Sequence, residues 1–80
     1  MSKTRALSTI ALEIYQTWPK VSPYARPYLA AMKALDSMED EFYFESADSV
    51  VRYFLANAGS WRGADARRIK AELKEMAGIA

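Results

Sequence analysis

The side chains of this chain that could do chemistry lie in two groups of opposite charge, and the acidic group comes first. Residues 36–45, the acidic segment, contain five carboxylates and the aromatic triplet Phe42, Tyr43 and Phe44. No basic residue occurs from position 36 to 48. Because a surface of one sign steers a partner of opposite charge, we predict that the acidic segment contacts a basic protein. The candidate contact residues are Asp36, Glu39, Asp40, Glu41, Tyr43 and Glu45.

A basic group follows later in the chain and indicates a second function, nucleic-acid binding. Its candidate contact residues are Arg62, Arg67, Arg68, Lys70 and Lys74. They lie before or within the second of two predicted helices joined by a turn containing Gly, which resembles a helix-turn-helix outline. Against this function, the isoelectric point of about 8.0 is low for a DNA-binding domain, and a nearby acidic segment would repel phosphate. The alternative is that Arg67, Lys70 and Lys74, the basic stripe, flank a buried face and pair with acids of this chain.

Catalytic and metal-binding chemistry has little support in the sequence. The chain contains no His, which is the commonest general base and metal ligand, and no Cys, which is a common nucleophile. We expect the carboxylates of the acidic segment to be exposed, with ordinary pKa values. The spacing of an EF-hand fails, because Glu41 stands where that loop needs Gly and Ala47 where it needs Glu. We therefore predict a protein that is not an enzyme and that binds no cofactor and no metal.

Apolar residues that recur at steps of three and four predict the helices that position these groups. We predict an all-α fold in one domain, a compact bundle of four helices with an acidic loop at 36–45, whose alternate aromatic residues reach back to the core. The predicted helices cover about residues 3–17, 26–37, 46–58 and 63–77.

Capping and stop signals set the predicted ends of these helices. Ser2 or Thr4 is the predicted N-cap of the first helix, and Ser46 is that of the third. Gly59 is predicted to end the third helix in the left-handed conformation, and Gly78 is predicted to end the fourth.

The sequence predicts a protein of the cytoplasm, because a chain without Cys suits a reducing compartment. No apolar run approaches the roughly 20 residues needed to cross a bilayer, so no membrane partner is expected. Glu13 and Gln16 interrupt the apolar stretch that a signal peptide would need. Trp18 and Trp61 are expected in the core, with Trp61 filling the turn between the third and fourth helices. A homodimer through exposed aromatic residues stays open, because periodicity does not separate self-association from burial.

Three segments of the chain resemble a group of small uncharacterised proteins encoded by phages and prophages, chiefly of Gram-positive and actinobacterial hosts. These segments are PYLAAM at 27–32, LDS at 35–37 and YFLANAGSWRGADARRIKAEL at 53–73. The resemblance covers roughly residues 5–75 and implies a phage accessory protein that works in the host cytoplasm. It brings no activity and no functional residues.

These observations leave two main hypotheses about function. The first is a small non-enzymatic accessory protein that binds a host protein through the acidic segment. The second is DNA binding by the fourth helix. A third, sequestration of a small ligand between helices, has no motif to support it.

Overall fold

The structure, a computed structural model, describes residues 5–79, so the predicted N-caps Ser2 and Thr4 lie outside the described residues. Four α-helices and one β-hairpin form the described part of the chain, which confirms the prediction of a mostly helical, four-helix fold. The elements in chain order are α1 (Leu7–Thr17), α2 (Arg26–Lys33), β1 (Glu41–Phe42), β2 (Glu45–Ser46), α3 (Ala47–Ala56) and α4 (Ala64–Met76).

The first helix, α1, begins at Leu7 because carbonyl groups from a distant segment accept the N–H groups of its first turn. The N–H of Leu7 donates to the carbonyl oxygen of Asp36 at 3.1 Å, and the N–H of Ser8 donates to that of Leu35 at 2.8 Å. The residue before the helix is extended and supplies no side-chain cap. The predicted helical conformation is therefore wrong for residues 5 and 6.

The second helix, α2, ends at Lys33, four residues before its predicted end. The N–H of Ala34 still bonds to the carbonyl of Ala31 at 3.0 Å, and the chain then turns so that Leu35 is buried. The carbonyls of Leu35 and Asp36 point to α1, whereas a longer helix would direct them along its own axis. The predicted helical conformation is therefore wrong for residues 34–37, because the carbonyls of Leu35 and Asp36 accept the N–H groups of α1.

The acidic segment ends in a short β-hairpin and is not the predicted irregular loop. Strands β1 and β2 pair antiparallel, and Tyr43 and Phe44 form the two-residue turn between them. The N–H of Ala47 donates to the carbonyl of Asp40 at 2.9 Å, which closes the open end of the hairpin. Phe42 is half-buried against the core, as expected. The same expectation is wrong for Phe44, which is fully exposed because it occupies a corner of the turn.

Ser46 caps α3 as predicted, since its Oγ accepts the N–H of Ser49 at 3.1 Å. The other end of α3 differs from the prediction, because Gly59 does not take the left-handed conformation. Asn57 closes the helix instead, and its Nδ2 donates to the carbonyl of Tyr53 at 2.8 Å. The side-chain amide thus replaces the glycine cap.

The fourth helix, α4, lies between two glycines that have positive φ angles. Gly63 precedes it at φ 113°, and Gly78 follows it at φ 73°. The predicted end of the helix at Gly78 is confirmed. The N–H of Gly78 donates to the carbonyl of Glu75 at 3.1 Å, and the N–H of Ile79 donates to that of Lys74 at 2.8 Å. These two bonds form a Schellman motif, in which glycine avoids the steric cost of a left-handed residue.

All four helices contribute to one hydrophobic core, and three aromatic rings form part of it. Trp18 and Trp61 are buried, as predicted, and stack with ring centroids 5.3 Å apart and 7° between the planes. Phe54 contacts both edge-on, at 6.2 and 6.5 Å. The largest fully buried side chains are Phe54, Leu7, Ile10, Ile14, Leu29, Met32, Leu35, Ile69, Leu73 and Val51. Within residues 5–79, no helix has the length and apolarity to cross a bilayer.

Candidate functional site

The tip of the hairpin presents two large aromatic side chains to solvent. Tyr43 is 83% exposed and Phe44 is fully exposed. Tyr43 also has a φ of 58°, the one positive φ among the described residues other than glycine. A side chain in that left-handed region costs about 1 kcal/mol or more, and such strain occurs often at functional positions. The hairpin tip, Tyr43 and Phe44, is therefore the first candidate site.

The hairpin holds this tip in place through Phe42 and Asp40. The half-buried ring of Phe42 meets the ring of Tyr43 edge-on, with centroids 4.7 Å apart. The carboxylate of Asp40 accepts the N–H groups of Asp36 and Ser37 at 2.9 and 3.2 Å. These bonds lower the pKa of Asp40, and the side chain is half-buried. The expectation of an exposed carboxyl with an ordinary pKa is thus wrong for Asp40, which shapes the segment.

The other predicted contact acids are exposed but do not all lie together. Glu41 and Glu45 flank the tip on the two paired strands. Asp36 lies near α1, where its Oδ1 accepts from the Ser8 hydroxyl at 3.4 Å. Glu39 lines a different cleft, which it shares with residues of α4. The structure therefore places Glu41, Tyr43 and Glu45 in one hairpin, with Glu41 and Glu45 on opposite faces of it, and separates the remaining acids from them.

An apolar cleft of about 160 Å³ adjoins the hairpin. The rings of Tyr28 and Tyr53 stack in its wall with centroids 5.4 Å apart. Phe42 and Glu45 contribute to the same cleft from the hairpin side. Sequence reasoning missed Phe44 as a site residue, and it considered Tyr28 and Tyr53 as cleft residues without placing them together. The aromatic triplet was a usable signal for Phe44, whereas the tyrosine pair depends on how α2 packs on α3.

The second candidate site is a cleft of about 420 Å³ at the start of α4, the basic cleft. Its cationic lining residues are Arg62, Arg67 and Lys70, and its other lining residues include Trp61, Gly59 and Gly63. Lys74 lies one turn beyond Lys70 and is exposed. The structure thus brings together three of the five predicted nucleic-acid contacts.

Arg68 lies apart from the basic cleft, because carboxylates of α1 and α4 bind it. Its Nη2 donates to Glu13 Oε2 at 2.6 Å and to Asp65 Oδ1 at 3.2 Å. These bonds raise the pKa of Arg68, and the bond to Glu13 has the largest effect. Arg68 therefore pairs with acids of its own chain. The basic stripe does not, since Arg67, Lys70 and Lys74 form no ion pair with any other residue of 5–79.

Glu13 connects Arg68 to the start of the described chain. Its Oε1 lies 2.8 Å from Nη1 of Arg5, and Arg5 also donates to both carboxylate oxygens of Glu72 at 2.9 and 2.6 Å. The contacts with Arg68 and then with Arg5 lower the pKa of Glu13. The pKa of Arg5 is raised, mainly by Glu72. Sequence reasoning missed this network, because its partners are up to 67 positions apart.

No group of three or more acidic side chains in the described part of the chain is arranged to hold a metal ion. Comparison with protein-family models, with curated proteins and with solved structures found no match to this chain. The relation to small phage and prophage proteins therefore stays a prediction, and the candidate functions depend on the two sites themselves.

Proposed function

We propose that this chain is a small non-enzymatic protein that acts by binding another protein through the tip of its hairpin. The observation that carries the proposal is the exposed pair Tyr43 and Phe44, of which Tyr43 has a strained backbone. Two adjacent exposed rings are unfavourable in water, and aromatic side chains dominate the binding energy of protein interfaces.

The chemistry of the surface indicates a basic partner. Glu41 and Glu45 lie on the two strands that carry the tip, on opposite faces of the hairpin. Both residues are exposed and form no ion pair with residues 5–79. A partner with Lys or Arg around an apolar pocket would pair with these acids and bury the rings. The charges set the direction of approach, and the rings supply most of the affinity.

The sequence resemblance adds a biological setting to this proposal. In that setting the chain is a phage or prophage accessory protein, and its partner is a host protein in the host cytoplasm. A second copy of the chain is the competing occupant of the hairpin surface, since exposed rings also support self-association.

The test is a pull-down from nuclease-treated lysate of a Gram-positive or actinobacterial host. Three tagged baits are compared: the wild type, the double variant Tyr43→Ser with Phe44→Ser, and Tyr24→Ser. Tyr24 is the matched control, because it is 76% exposed and lies outside the hairpin, in the segment before α2. We expect a discrete protein on the wild-type and Tyr24→Ser baits, and at least a tenfold loss on the double variant.

Charge reversal and self-association complete the test. Glu41→Lys with Glu45→Lys should slow association with the captured protein and remove most of its dependence on salt. If the wild type retains no protein that the double variant fails to retain, the proposal is wrong. A dimer in sedimentation that Phe44→Ser dissociates would assign the hairpin to self-association instead.

A further inference from the structure

The basic cleft forms a second binding surface, built from different residues than the hairpin. It lies where the α3–α4 connection meets the first two turns of α4. Arg62, Arg67 and Lys70 all line it, and no carboxylate is among its lining residues. Its volume of about 420 Å³ is within the range of small-ligand sites.

Lys70 is held in position by the wall of the cleft. Its Nζ donates to the carbonyl oxygen of Trp61 at 2.7 Å and lies 5.9 Å from the centroid of the Trp61 ring. Trp61 is fixed by its stack on Trp18 in the core. The ammonium group is thus oriented by the fold before any ligand arrives, which reduces the entropy that binding would cost.

None of the three cations that line the cleft forms an ion pair with a carboxylate of residues 5–79. The pKa of Lys70 is lowered, first by burial and then by repulsion from Lys74 and Arg62. Arg5, Arg52 and Arg68, by contrast, each have a carboxylate partner within 4.0 Å. A bound anion would relieve this repulsion and would itself be attracted by several cations at once.

The geometry favours phosphate among the anions. A guanidinium group binds phosphate oxygens with two parallel hydrogen bonds, and both Arg62 and Arg67 line the cleft. The N–H groups of the first turn of α4 add to the positive potential, since no side chain caps this end of the helix. Asp65 of this turn is not among the lining residues of the cleft, and its carboxylate accepts from Arg68.

We propose that the basic cleft binds a phosphate group of a nucleic-acid backbone. A polymer fits better than a single phosphate, because Lys74 continues the positive surface beyond the cleft. From Arg67 to Lys74 the stripe extends about 10 Å along the helix axis, which is enough for successive phosphates of one strand. Arg68, which the sequence grouped with these residues, is not part of this surface.

Gly59 provides a specific test of the cleft. A Cβ added there would meet no atom within 4 Å, and the residue has no positive φ. Gly59→Glu therefore places a carboxylate at the cleft without straining the backbone, and Gly59→Gln places a neutral side chain of the same size. The probe is a fluorescein-labelled DNA duplex of about 20 base pairs, titrated with protein at 50 mM salt and read by fluorescence anisotropy.

We expect wild-type Kd values of about 10⁻⁴ to 10⁻⁶ M, the range of non-specific DNA binding. Gly59→Glu should weaken binding at least tenfold, and Gly59→Gln should stay within twofold. Lys70→Ala should weaken binding and reduce the slope of log K against log salt by about 1. Arg68→Ala should keep the wild-type affinity for DNA. The double variant Tyr43→Ser with Phe44→Ser should also keep it, which shows that DNA binding and protein binding at the hairpin are independent. Circular dichroism verifies that each variant is folded.

Three results would overturn the proposal. One is the absence of DNA binding at 100 μM protein, which would show that the cleft does not bind nucleic acid. Another is equal binding by Gly59→Glu and Gly59→Gln, which places the DNA elsewhere. The third is saturable binding of inorganic phosphate below 1 mM with no binding of DNA, which would identify a site for a small phosphate compound.

Discussion

Replacement of Glu13 by Gln would measure how much the ion pairs of Glu13, which connect α1 to Arg5 and to α4, contribute to stability. The variant keeps the size of the side chain and removes the charge that contacts Arg5 at 2.8 Å and Arg68 at 2.6 Å. Each arginine keeps one carboxylate, Glu72 or Asp65. Exposed pairs contribute about 0.2–1 kcal/mol each, so the two lost pairs predict a loss of about 1 kcal/mol in the free energy of unfolding at pH 7.

The dependence of this loss on pH follows from the lowered pKa of Glu13. A carboxyl whose pKa is lower in the folded state stabilises the fold above its unfolded pKa, about 4.3. That contribution disappears as the pH falls through the folded pKa, where the carboxyl becomes neutral as Gln is. The wild type and Glu13→Gln should therefore differ in stability at pH 7, and the difference should shrink as the pH falls through the folded pKa of Glu13.

Urea unfolding followed by tryptophan fluorescence, at pH 7 and near pH 2, measures both differences. With a slope of about 1 kcal/mol per molar urea for a domain of this size, the midpoint at pH 7 should fall by about 1 M. Glu75→Gln is the control, since Glu75 is exposed and forms no ion pair within residues 5–79. An equal loss at both pH values would refute the electrostatic explanation and indicate lost packing.

The other stability predictions concern the core and the start of α3. Phe54→Ala should lower the free energy of unfolding by about 3–5 kcal/mol, because Phe54 is fully buried and packs edge-on against the stacked tryptophans. Tyr24→Ala, at an exposed position, should change it by less than about 0.5 kcal/mol in the same urea experiment, and similar losses would contradict the assigned core. Ser46→Ala should cost about 1 kcal/mol by removing the acceptor for Ser49, whereas Ser46→Gly should cost only a few tenths. Equal losses in thermal unfolding would show that the cap is not the cause.

The parts of the fold that depend on local sequence could be predicted. Helical periodicity located the buried face of α4, which contains Ala66, Ile69 and Leu73. Ser46 and Gly78 act where short-range capping chemistry placed them, because each of them bonds to residues within four positions.

The parts that depend on distant contacts could not be predicted. α1 starts late and α2 ends early for a shared reason, since the carbonyls of Leu35 and Asp36 bond to the first turn of α1. The hairpin gives no local signal, because Tyr43 and Phe44 occupy a turn that normally requires Gly or Asn. Arg67 and Arg68 are adjacent and chemically equal in the sequence. Helical spacing separates them around α4, but only the packing of α1 pairs Arg68 with Glu13, whereas Arg67 lines the basic cleft.

The stacked tryptophans give the protein an intrinsic spectroscopic signal. Trp18 and Trp61 are the only two tryptophans of the chain, and they form one pair. Intrinsic emission excited at the red edge therefore reports a single location, and the parallel rings should couple electronically and give a near-ultraviolet circular dichroism signal. Trp61 also lines the basic cleft next to Lys70. A ligand that enters the cleft should thus change this signal in the unlabelled protein, whereas a partner that binds only at the hairpin tip should leave it unchanged.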